Sequence, residues 1–166
     1  MAEFELAFQK LMKDEGVVLT NHKKDRGGLT YAGISRKYHP KWKGWNWIDG
    51  DDTPPIQMVR DFYFEKYWFP IKGDQIKDQK VAEVLFSQFV NMGEVGIKLA
   101  QGVIGVIQDG KIGPKTLAAL NDFDSDRFLD KYALAMIARY WSIGMKDKSQ
   151  RTWWPGWFSR ALRIPA

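Results

Sequence analysis

Phe4, Phe8, Leu11 and Glu15 follow one another at spacings of four, three and four, with Ala7 and Met12 beside them. This period predicts an amphipathic helix over residues 3–14, ended by Gly16. From residue 17 to 35, Gly27, Gly28 and Gly33 are interspersed with Thr30, Tyr31 and Ile34, a pattern that suits an irregular hairpin or loop better than a helix. Residues 40–55 carry three tryptophans, glycine turns and an acidic stretch, and are expected to be a mobile surface excursion. Thr53, Pro54 and Pro55 then open a helix whose apolar positions Ile56, Val59, Tyr63 and Tyr67 run until Pro70.

Val81, Val84, Leu85, Gln88, Phe89 and Met92 mark another helical stripe closed by Gly93, and Val95, Leu99 and Val103 mark a further one. Asp109-Gly110 is a turn, Gly113-Pro114 opens a helix with Leu117 and Leu120 inward, and a long helix spans residues 126–144. The tail from 146 to 166 is polar and then aromatic. No repeat, low-complexity tract or composition break calls for a separate domain.

Composition narrows the class. In 166 residues, 45% hydrophobic and 27% charged, there is enough apolar material for one folding unit and too little length for two independent ones. The formal charge of +5 favours anionic partners such as nucleic acid, membrane surfaces or bacterial wall polymers, without choosing among them. Without cysteine, disulfides, thiolate metal sites and Cys nucleophiles are excluded, and two histidines make a His-rich metal centre a poor expectation. The longest apolar run, residues 102–107, falls far short of the roughly 18 residues of a membrane span. Glu3, Glu5, Lys10, Lys13 and Asp14 interrupt any apolar signal-peptide core, so synthesis in the cytoplasm is expected.

Glu15 is the candidate acid. The helical period places it on the apolar face below Phe8 and Leu11, where desolvation disfavours the carboxylate, and at a helix C-terminus, where the macrodipole does the same. Both effects push its pKa upward, which is what a glycosidase acid needs to stay protonated near neutral pH. The competing reading is a helix-end carboxylate paired with Arg or Lys.

The residues that follow resemble a known family. Glu15-Gly16, then Asp25-Arg26-Gly27-Gly28-Leu29-Thr30-Tyr31-Ala32-Gly33-Ile34-Ser35, is similar to the E-G-G…D-x-G-G-x-T-x-x-G-I-[ST] signature of the glycoside hydrolase 108 N-acetylmuramidases, which include bacterial secretion-associated muramidases and phage endolysins. Residues 91–93 and 109–117 resemble the peptidoglycan-binding region that accompanies that segment, and Gly156-Trp157-Phe158-Ser159-Arg160 resembles the family's C-terminal G-W-x-x-R. Val17 and Val18 stand where the family usually has a second Gly and an aromatic residue.

The resemblance implies a mainly α, lysozyme-like fold with a small β-hairpin beside the active site. It implies a catalytic segment over residues 1–90 and a helical lobe over 91–166, packed as one unit. The implied activity is hydrolysis of the β-1,4 bond between N-acetylmuramic acid and N-acetylglucosamine, with Glu15 as general acid and no cofactor or metal. The implied partner is the peptidoglycan glycan strand, with no nucleic acid and no stable membrane insertion. The protein is expected to be a monomer and to act at the wall or periplasm after holin-like or phage-linked release.

Asp25 and Thr30 resemble the second carboxylate and hydroxyl of phage-type lysozymes and are candidates for handling the attacking water, which would give inversion. Asp25 reads equally as an Asx-turn residue, and Thr30 as an ordinary strand threonine. Tyr31 reads as a sugar-stacking ring or an exposed hairpin tyrosine, His22 as a substrate contact or an exposed loop histidine, and Asn91 as an acetamido ligand or a helix C-cap. Lytic transglycosylation and non-catalytic wall binding are the alternatives.

Overall fold

The computed structural model describes residues 1–20 and 28–164, with Asp14 and Glu15 described by their backbone alone. The described chain is mainly helical. Helix α1, Phe4–Glu15, follows the expected period, burying Phe4, Ala7, Phe8 and Leu11. Gly16 terminates it at φ 72°, its amide donating to Met12 O.

Three two-residue strands follow: β1 Leu19–Thr20, β2 Thr30–Tyr31 and β3 Ile34–Ser35, antiparallel in the order β1-β2-β3. Thr30 pairs with Thr20 and Ser35, and Tyr31 with Leu19 and Ile34. The β2–β3 hairpin turns on Ala32 and Gly33, both at positive φ (47° and 76°), the primed turn that matches strand twist. An alanine there is strained, and the Tyr63 hydroxyl, donating to Ala32 O at 2.9 Å, holds it in place.

Residues 40–55 are not the expected loose excursion. They contain helix α2, Trp45–Asp49, with Trp45 buried and its indole N–H donating to His39 O at 2.7 Å. Trp42 packs edge-on against Trp45, and Arg36 forks onto both oxygens of Asp49 at 2.6 and 2.7 Å, tying β3 to α2. Trp42 and Trp45 are spent on packing, while Trp47 stays exposed.

Helix α3, Ile56–Tyr63, runs into a π-helical turn, Phe64–Trp68, where Phe69 N donates to Phe64 O. The extra residue in that turn re-aims the side chains after it. Trp68 is fully buried, and Phe4 sits within 5.8 Å of the rings of Phe64, Trp68 and Phe86.

The remaining helices are α4 Gln79–Met92, α5 Glu94–Ile104, α6 Pro114–Asp122, α7 Ser125–Lys146 and α8 Trp154–Leu162. Asp78 and Asp124 cap α4 and α7, and Pro114 opens α6. Helix α4 packs on α1 and α5, α5 on α7, and α7 on α8. The polar and aromatic tail is ordered into helix: a 3-10 segment, Lys148–Trp153, leads into α8, which lays Trp157 on Tyr140 with ring centroids 5.0 Å apart. The buried side chains from α1 to α8 form one continuous core. Among the described residues no helix is long and apolar enough to cross a membrane.

Candidate active site

Glu15 is the last residue of α1, so its backbone stands where helix gives way to sheet. Three residues after Gly16 the chain enters β1, and Thr30 lies directly across from Thr20 on β2. The fold therefore brings the Glu15 backbone and Thr30 to one corner of the molecule. The carboxyl of Glu15, and His22 and Asp25 altogether, lie outside the described residues.

Thr30 is half-buried and its hydroxyl donates to Gly28 O at 3.1 Å, leaving its lone pairs as acceptors. The Thr20 hydroxyl donates to the backbone oxygen of Thr30 at 3.5 Å. Val17, Val18 and Leu19, just beyond Glu15, are all exposed, so the corner carries an apolar edge.

Tyr31 is not an exposed hairpin tyrosine. It is 5% exposed and its ring stacks on Trp42 at 6.1 Å, so its face is taken by the protein and little of it is open to a sugar. Burial pushes its hydroxyl pKa up.

Asn91 belongs to the last turn of α4, and the C-cap is Gly93, at φ 58°. The Asn91 amide donates to Ser87 O at 2.8 Å, and its oxygen accepts from Arg160 Nη1 at 3.1 Å. Helices α1 and α4 start side by side, since Glu3 N donates to Gln79 Oε1 and Gln79 Nε2 donates to Glu3 O. They advance in the same sense, as the Lys10–Glu83 ion pair at 3.0 Å shows. With 12 and 14 residues they have similar lengths, roughly 18 to 21 Å at about 1.5 Å per residue. Their C-terminal ends, carrying Glu15 and Asn91, therefore emerge at the same end of the pair.

Reading the sequence by period missed what surrounds Asn91. A cavity of about 260 Å³ is lined by Asn91, Met92, Val95, Arg139, Tyr140, Ile143, Trp157 and Arg160. Burial pushes the Tyr140 hydroxyl pKa up, and the positive charge of Arg160 opposes that push. The spacing Trp154, Trp157, Phe158, Ala161, behind a first-turn proline, was the available signal for the helix that brings Arg160 here.

The Asp109-Gly110 segment has a structural explanation. Gln101, fully buried, donates to Asp109 Oδ1 at 2.7 Å and Lys111 O at 3.0 Å, and accepts from Gly110 N at 2.8 Å. The hydrogen bond from Gln101 and the amide of Lys111 hold the Asp109 carboxyl below the usual carboxylate range. No group of three His, Asp or Glu residues among those described is arranged to hold a metal ion.

Compared with known protein families, residues 8–93 match Glycosyl hydrolase 108 and residues 95–162 match the Predicted Peptidoglycan domain. Among solved structures, that of Brucella abortus SagA is similar at 32% identity and a TM-score of 0.77, over 98% of this chain and 91% of the other. No curated protein matches.

Proposed function

Because this chain belongs to the glycosyl hydrolase 108 family, we propose that it is a peptidoglycan muramidase cleaving the β-1,4 bond between N-acetylmuramic acid and N-acetylglucosamine. Its fold is mainly α and lysozyme-like, with the small sheet set beside the end of α1. The observation that carries the reading is the place of Glu15: last residue of α1, at the corner where the chain turns through Gly16 into the sheet bearing Thr30. The companion match to a peptidoglycan domain names the polymer.

In this reading Glu15 protonates the leaving glycosidic oxygen. Asp25 deprotonates a water on the opposite face of the sugar, and the Thr30 hydroxyl, donating to Gly28 O, accepts a hydrogen bond from that water and fixes its position. A single displacement of this kind inverts the anomeric carbon and needs carboxyls about 6.5–9.5 Å apart. We place the action at the bacterial cell wall.

The test is reducing-end release and turbidity loss from purified peptidoglycan by wild type and Glu15→Gln, between about pH 5 and 8. The expected result is a loss of about 10²- to 10⁴-fold in a folded variant. Products with 1,6-anhydro ends would replace hydrolysis by transglycosylation, and wild type that binds peptidoglycan without releasing fragments would overturn the enzyme reading.

A further inference from the structure

The cavity beside Asn91 is built for more than a neutral sugar. Two guanidiniums, Arg139 from α7 and Arg160 from α8, line one space of about 260 Å³ with Asn91 and the Tyr140–Trp157 stack. Both arginines are exposed, and among the described residues neither forms an ion pair with a carboxylate. Arg160 is nonetheless held: one nitrogen donates to Asn91 Oδ1 at 3.1 Å, with the Tyr140 hydroxyl beside it in the same cavity. A guanidinium offers five donors, so after that bond Arg160 keeps donors for a ligand, and among the described residues Arg139 keeps all of its own.

Three other arginines are engaged by the protein itself. Arg36 forks onto Asp49, Arg60 pairs with Glu5, and Arg151 donates to Gly144 O. An arginine oriented by a neutral partner, with a second guanidinium and an aromatic floor beside it, forms a receptor for a carboxylate, to which the guanidinium fork is matched. The cavity also stands at the end of the α1–α4 pair from which Glu15 emerges.

We propose that this cavity binds a free carboxylate of the peptide stem attached to the muramic acid of the substrate, with Arg139 and Arg160 as the residues that recognise it. Peptidoglycan is uncharged along its sugar backbone wherever the lactyl group is amide-linked to a stem, and the stem's side carboxylates are its regular anions. The site therefore distinguishes stem-bearing strands from other β-1,4 glycans. It rests on the muramidase reading for the identity of the ligand, and it is tested by binding, apart from turnover.

The probe is the soluble disaccharide-tetrapeptide, which has no internal muramic acid to glucosamine linkage left to cleave. Titration calorimetry with the full chain compares it with the same fragment after its carboxylates are amidated with methylamine. The expected result is binding of the free-acid form about 10- to 100-fold tighter than the amidated form, the range of a charge-assisted hydrogen bond. In Arg139→Ala/Arg160→Ala that preference disappears, while the thermal unfolding midpoint stays near the wild-type value. Equal affinity of wild type for the two forms, no binding of either, or a preference that survives in a folded double variant would overturn the proposal. Equal affinity for the peptide-free disaccharide, whose carboxylate is on the lactyl group, would overturn the assignment to the stem. The ligand-side comparison uses wild type alone, so it decides even if the variants do not fold. Reducing-end release by wild type is scored separately and tells failure of this site from failure of the muramidase reading.

Discussion

Gln88 lies on α4, 3% exposed, and its Oε1 has no hydrogen-bond partner among the described residues. A buried acceptor left unpaired costs about 1–3 kcal/mol, whereas an apolar side chain of similar shape costs nothing of that kind. Gln88→Met is therefore expected to raise the unfolding midpoint by about 2–4 °C, from roughly 1 kcal/mol at this chain length. A fall in the midpoint by circular dichroism would show that the amide serves the fold after all. The same position shows what a sequence discloses residue by residue. Period alone put Gln88 in the apolar stripe and Glu15 at the end of the first helix, because one periodic face fixes burial. It could not show that Asn91 is gripped by Arg160 from 69 positions away, since Arg139 and Arg160 are exposed and read along the chain like any solvated arginine.

Among the elements, the loop between α5 and α6 is organised by one side chain. Gln101 donates to Asp109, Lys111 and Thr116 and accepts from Gly110 N, so it satisfies polar groups that packing would otherwise strand. Gln101→Met keeps the volume and removes every one of those bonds. The expected cost is about 2–4 kcal/mol, a fall in the unfolding midpoint of roughly 5–15 °C. An unchanged midpoint would mean the loop is held by the turn chemistry of Asp109-Gly110 alone. That turn, and the helix starting at Pro114, were legible because Gly and Pro fix backbone conformation locally. Helix α2 was not, because its tryptophans carry no strict period, and for α2 and α8 alike burial depends on rings from other segments: Trp45 against Trp42, Trp154 against Trp141, Trp157 against Tyr140.

For the molecule as a whole, stability and the proposed carboxylate site meet in the docking of α8 on α7. Gly144 is buried, and a Cβ there would lie 2.4 Å from the indole of Trp154. That indole stacks on Trp141 at 4.9 Å, donates to Tyr140 O at 3.0 Å and lies under the Arg151 guanidinium, so it cannot swing aside without losing all three contacts. Gly144→Ala must therefore push Trp154, and with it the first turn of the helix that carries Trp157 and Arg160. Overpacking of this kind costs about 1–3 kcal/mol, a fall of roughly 2–12 °C in the unfolding midpoint. Gly156→Ala is the matched control. It lies in α8, its Cβ would meet nothing within 4 Å, and removing a helical glycine gains about 0.5–1 kcal/mol. The pair is expected to move the midpoint in opposite directions. Gly144→Ala alone is expected to weaken binding of the free-carboxylate fragment toward that of the amidated one, because Arg160 moves with its helix. If both variants unfold like wild type, α8 is not seated through Trp154. If Gly144→Ala loses stability yet keeps the full carboxylate preference, the recognition lies with Arg139 on α7 and not with the helix docked against it.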